Sequence, residues 1–132
     1  MILVDSNILI DVIGDDPIWA ERSSQALAAA ADAAELAINP IIYTEISVAF
    51  PTEAALESIL EPTGLRRLEL PYQAAFVAGK AFLEYRKRGG ARTSPLPDFY
   101  IGAHAAIAGF ALLTRDLSRY RTYFPRLELL TP

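Results

Sequence analysis

The sequence contains no cysteine, and only one histidine, one methionine and one tryptophan in 132 residues. The missing cysteines exclude disulfides, zinc–thiolate sites, iron–sulfur clusters and cysteine nucleophiles. A reducing cytoplasm is compatible with that composition. His104 alone cannot build a multi-histidine metal centre. No apolar run approaches the ~20 residues that span a bilayer, so no membrane partner is expected. The opening Met1-Ile-Leu-Val-Asp5 has no basic region and meets a carboxylate at once, which does not fit a secretory signal. No G-x-G-x-x-G or P-loop pattern occurs, so nothing points to a glycine-cradled nucleotide.

Apolar residues are abundant instead, at 52% against 21% charged, enough to bury a sizeable core. The length fits one domain, residues 1–132. The net charge is −4 but it is unevenly spread. Residues 1–85 hold 4 Lys/Arg and 13 Asp/Glu, whereas residues 86–132 hold 8 and 3. That asymmetry predicts a basic surface from the last third, suited to an anionic partner.

Ile2–Val4 is fully apolar and reads as a buried strand of a parallel sheet, followed by a short helix over 6–13. Asp16-Pro17 predicts a capped helix running to Ala34. Leu36–Ile38 reads as a second strand, and Asn39-Pro40 starts a helix from Ile41 to Phe50. A helix over Thr52–Leu60 and a strand over Leu65–Leu70 follow. After Pro71, the spacing of Tyr72, Ala75, Phe76, Gly79, Phe82 and Leu83 predicts one apolar helix face. Asp98 reads as the cap of a helix over Phe99–Ala108, Phe110–Leu113 as the fourth strand, and Leu127–Leu130 as the last. Alternating strands and helices predict an α/β fold with a central, mainly parallel sheet.

Open α/β sheets bind ligands beyond the carboxyl ends of their strands. Asp5 follows the first strand, and Asp116 follows the fourth by two residues. Asp98 begins the helix leading into that fourth strand, and Glu45 lies in the helix after the second. Four carboxylates from distant segments can therefore meet at one sheet edge. Crowded carboxylates repel unless a cation joins them. An all-oxygen cluster selects a hard cation, Mg²⁺ or Mn²⁺. Such an ion lowers the pKa of water and neutralises a phosphodiester, which makes hydrolysis of RNA or DNA the expected chemistry. Asn7 and Thr114 stand where they can orient the carboxylates. Arg86, Arg92, Arg115 and Arg119 are candidate phosphate contacts, and Tyr85, Tyr100, Tyr120 and Tyr123 candidate platforms for unpaired bases. His104, in mid-helix, reads as a packed or surface residue.

Four segments in order, Ile2–Ile10, Pro40–Glu45, Leu96–Ala105 and Leu112–Asp116, with Tyr123-Phe-Pro near the end, resemble PIN-domain proteins. The spacing is most similar to the VapC group of toxin–antitoxin ribonucleases. The resemblance implies a three-layer α/β/α sandwich in which Asp5, Glu45, Asp98 and Asp116 bind Mg²⁺ or Mn²⁺. It implies endonucleolytic cleavage of RNA, a homodimer, and a cognate antitoxin that covers the active site. Ser6 stands where many members carry threonine, and Arg115, not a small residue, precedes Asp116.

Competing readings remain. A phosphatase using Asp5 as nucleophile commonly needs a second aspartate where Asn7 stands. A regulatory, phospho-receiver-like Mg-binding module would use Asp5 as acceptor and need neither Glu45 nor Asp116. A non-catalytic nucleic-acid binder would have no use for all four acids.

Overall fold

The computed structural model describes residues Met1–Pro132. Strands β1 (Ile2–Val4), β2 (Leu36–Ile38), β3 (Arg66–Arg67), β4 (Ala111–Leu113) and β5 (Leu129–Leu130) form one sheet, ordered β3-β2-β1-β4-β5. Every pairing is parallel. Helices α1 (Ser6–Ile13), α2 (Ala20–Ala33), α3 (Pro40–Ser47), α4 (Glu53–Leu60), α5 (Tyr72–Lys87), α6 (Pro97–Ala108) and α7 (Ser118–Tyr123) flank it. This is the α/β fold the alternation predicts. β1 is central and buried throughout, as strands covered on both faces must be. Ile8, Ile42, Leu56 and Ile101 bring the apolar sides of the helices into the same core.

Crossovers leave β1 toward β2 on one side and lead to β4 on the other, so the order reverses between β1 and β4. Their carboxyl ends lie in register, Val4 opposite Leu113, and Asp5 N–H donates to the Leu113 carbonyl at 2.9 Å. This reversal opens the crevice where such sheets bind ligands.

Several boundaries differ from the sequence expectation. Asp16 caps a turn, accepting from the N–H groups of Ile18 and Trp19, and α2 begins only at Ala20. Asn39 caps α3 by accepting from Ile42 N–H, but the helix ends at Ser47. The third strand shrinks to Arg66–Arg67, an edge strand paired on one side only. Its arginines pair with Glu35 and Glu57, charges that suit an exposed edge. The fifth strand shortens to Leu129–Leu130 and the fourth begins at Ala111.

The apolar face expected on α5 is not the buried one. Tyr72 is 95% exposed and Phe76 66%, while Ala74, Ala78 and Ala81 are buried. The alanines share the helical period but are offset from the larger residues. The small side chains are the buried ones, Tyr72 and Phe76 stay outside, and of the large residues on the expected face Phe82 is half-buried against Phe99 of α6.

Candidate active site

Four connections reach the carboxyl edge of the sheet, and each brings a carboxylate. Asp5 is the N-cap of α1, directly beyond β1, and only 3% exposed. Its Oδ1 accepts from Ser6 N–H at 2.8 Å. Its Oδ2 accepts from the hydroxyls of Thr114 and Tyr120, each at 2.9 Å, and from Asn7 Nδ2 at 3.4 Å. Burial nonetheless outweighs these donors and raises the Asp5 pKa above the ordinary carboxylate range.

Glu45 projects from α3, and its Oε1 accepts from the Ser6 hydroxyl at 2.9 Å. That hydroxyl also lies 3.4 Å from Asp5 Oδ1, so Ser6 stands between the two acids. Partial burial raises the Glu45 pKa, opposed by the Ser6 bond and reinforced by Asp5 and Asp98. A second link fixes the α3 helix. Asn39 Nδ2 lies 3.0 Å from His104 Nδ1 on α6. The amide nitrogen must donate, so that ring nitrogen accepts. His104 is therefore packed inside, where burial lowers its pKa.

Asp98 is not a cap. Pro97 takes the first helical position and Leu96 is the N-cap, which puts Asp98 inside the first turn of α6. Its side chain is thereby free to face the other acids. Oδ1 lies 3.5 Å from the Tyr120 hydroxyl, and Oδ2 3.9 Å from Arg119 Nε. Burial first, and then the Asp5 charge, push the Asp98 pKa up to about 6. Asp116 is exposed, and its backbone N–H donates to Thr114 Oγ1 at 3.1 Å. Its charge is also felt at Asp98.

Thr114 and Asn7 meet at Asp5. The Thr114 hydroxyl donates to Asp5 while accepting from Asn7 Nδ2 at 3.1 Å. Asn7 Oδ1 accepts from Arg115 N–H at 3.3 Å, so the turn after β4 is tied to the turn after β1.

All donors offered are hard carboxylate oxygens, and two of the acids are raised partly by neighbouring carboxylates, Glu45 by Asp5 and Asp98, and Asp98 by Asp5 and Asp116. That chemistry fits Mg²⁺ or Mn²⁺. As the side chains stand, no three carboxylates form a ready-made metal cage. Hydrogen bonds to Ser6, Asn7, Thr114 and Tyr120 engage Asp5 and Glu45 instead.

The four arginines separate. Arg119 reaches Asp98, with its guanidinium over the rings of Tyr85 and Phe99 at 5.6 and 5.7 Å. Arg86, in the last turn of α5, and Arg92, in the loop beyond it, are both exposed and joined by a bond from Arg86 Nη1 to the Arg92 carbonyl. The Arg115 guanidinium is engaged within the protein. It grips the buried Asp11 with two bonds, at 2.8 and 3.1 Å, and lies over Trp19. Asp11 also accepts from Ser23 Oγ. Arg115 thus ties the β4–α7 turn to α1 and α2. Arg115→Ala leaves a buried carboxylate short of its counter-ion, at a cost of about 2–4 kcal/mol. Thermal melting is expected to show that loss; an unchanged midpoint would free Arg115 for another task.

The base-stacking role expected for Tyr120 does not fit, because the ring is wholly buried. Tyr85 and Tyr123 pack with Phe99 in an aromatic cluster. The contacts of Tyr120 and the Asp11–Arg115 pair escape sequence reading. One signal was available: Tyr120 follows Asp116 by four residues, about one helical turn.

The profile of the PIN domain family matches residues 2–125. The chain belongs to the PIN domain family. Solved PIN-like structures share its fold. The structure of VapBC2 from Rickettsia felis bound to a promoter DNA fragment contains a chain that superposes with a TM-score of 0.76 at 20% identity, covering 100% of this chain and 99% of that one. VapBC-1 from nontypeable Haemophilus influenzae gives 0.73 at 23% identity, covering 99% and 98%. FitAcB from Neisseria gonorrhoeae gives 0.69 at 18% identity, covering 98% and 96%. Comparison with curated proteins gives no significant match. The three-layer α/β/α architecture of this PIN domain is the one the motifs imply. No helix is long and apolar enough to cross a membrane.

Proposed function

We propose that this PIN domain is a metal-dependent endoribonuclease and the toxin of a toxin–antitoxin pair. The observation that carries the reading is the meeting of Asp5, Glu45 and Asp98, from three separate segments, at the sheet's switch point, with Asp116 beside them. Asp5, Glu45, Asp98 and Asp116 would hold Mg²⁺ or Mn²⁺. When bound, such an ion activates water and neutralises charge on the phosphodiester.

The chain's own residues supply the rest. Thr114, Asn7 and Ser6 hold Asp5 in one orientation at the end of β1. Ser6 sets Glu45 against it. Arg119, steadied by Tyr85 and Phe99, is the arginine nearest the acids and is assigned to a phosphate of the RNA. Arg86 and Arg92 are assigned to phosphates further along the strand. Arg115 is left out of the substrate path because Asp11 holds it.

The Rickettsia and Haemophilus structures are of VapBC, and a further structure of the same fold is a toxin–antitoxin complex from Klebsiella pneumoniae. These support a cognate antitoxin as partner here; that the domain acts as a homodimer in the cytoplasm is our proposal from the motif resemblance alone. Burial of Asp5 under its hydrogen bonds speaks against a phospho-receiver module, whose acceptor must be open to a phosphoryl donor.

Incubating a mixed RNA pool with the protein is expected to give discrete fragments with Mn²⁺ or Mg²⁺ and none with EDTA. Fragments that persist in EDTA would overturn the metal-dependent reading.

A further inference from the structure

We infer that Tyr120 is a positioning residue that clasps Asp5 to Asp98 and sets the orientation in which the pair receives a divalent cation. This rests on the metal-dependent reading above.

The Tyr120 hydroxyl is buried and carries one hydrogen, yet it faces two carboxylates. It donates to Asp5 Oδ2 at 2.9 Å and stands 3.5 Å from Asp98 Oδ1. Tyr120 is the one side chain shared between the hydrogen-bonding surroundings of the two acids, bonded to Asp5 and in polar contact with Asp98. It comes from α7, whose first residue lies two beyond Asp116. One helix therefore joins the turn bearing Asp116 to the contact between Asp5 and Asp98.

The ring is seated by its surroundings. Gly102 on α6 leaves the gap: a Cβ there would come within 2.5 Å of the Phe124 ring and 3.1 Å of Tyr120 Cδ1. A phenylalanine would fill the same space and satisfy packing equally well. The hydroxyl is thus explained by what it touches, not by the core. Without it, Asp5 Oδ2 keeps Thr114 and Asn7, but the tie to Asp98 is gone. Groups that orient metal ligands typically change affinity 10–100-fold when removed.

The test compares the full chain with Tyr120→Phe at fixed pH and salt. Free Mn²⁺ is followed by electron paramagnetic resonance, and folding by circular dichroism. The expected result is a folded variant whose Mn²⁺ dissociation constant rises about 10–100-fold. In the unsubstituted chain, saturating Mg²⁺ is expected to perturb near-ultraviolet tyrosine absorption, and Tyr120→Phe to lose that signal. Unchanged Mn²⁺ affinity in a folded variant would overturn the role, even if melting were lowered, because a merely structural hydroxyl moves only the latter. Absence of a tyrosine perturbation in the unsubstituted chain at Mg²⁺ saturation would overturn it without the variant. Failure of the unsubstituted chain to bind Mn²⁺ would instead sink the metal-dependent reading, and this inference with it.

Discussion

Asp5→Asn is expected to lower RNA cleavage by at least about 100-fold, because partners that only orient metal ligands already account for 10–100-fold. The substitution keeps shape and volume while removing the charge. The donors around the position can adjust: Ser6 N–H still finds an oxygen, and the Tyr120 hydroxyl can turn to accept from the new amide. Circular dichroism should therefore show a folded protein. A folded variant cleaving within about threefold of the original, roughly half a 10-fold step of 1.4 kcal/mol, would remove Asp5 from the site.

Asp98→Asn is expected to separate activity from stability. Cleavage falls, yet the metal-free protein becomes more stable at pH 7.5. Burial and the neighbouring Asp5 charge hold the folded pKa of Asp98 at about 6, against 3.8 for the free group. A carboxyl whose pKa is raised on folding contributes stability that is present below the unfolded value and lost as pH rises through the folded one. In EDTA, this contribution therefore disappears between about pH 4 and pH 6–7. The asparagine variant lacks Asp98's share of this slope and keeps the shares of Asp5 and Glu45, whose pKa values are also raised. At pH 7.5 it is expected to be ahead by about 1–2 kcal/mol, less than the full shift implies because Asp98 is partly exposed. His104 acts with the opposite sign, since its lowered pKa removes stability as pH falls. It is present in both proteins and cancels in their difference. Melting in EDTA from pH 4 to 8 reads the effect directly. A lower midpoint for the variant at pH 7.5 would contradict the crowding of charge at this edge.

What the sequence could reveal depended on how local the physics is. β1 and the Asn39-Pro40 start of α3 rest on neighbouring residues and were legible. The candidate acids were legible because Asp5 and Asp116 follow strands, Asp98 stands at a helix start and Glu45 lies in the helix after β2, and the topology of a parallel sheet does the rest. The face of α5 was not. Hydropathy marks Tyr72 and Phe76 as the apolar side, whereas close approach to α6 selects Ala74, Ala78 and Ala81. Arg115 and Tyr120 failed for a related reason. A charge or a hydroxyl in a turn-and-helix segment reads as solvated until its long-range partner is known. Asp11 lies 104 positions from Arg115, and Asp5 115 positions from Tyr120.

The central claim is that the acids at the carboxyl edge hold a divalent cation. Titration of the full chain with Mn²⁺, followed by electron paramagnetic resonance beside Asp5→Asn, tests it most directly. The account predicts saturable binding that Mg²⁺ displaces and that the substitution abolishes. No saturable binding to the unsubstituted chain, or equal binding to both proteins, would contradict it.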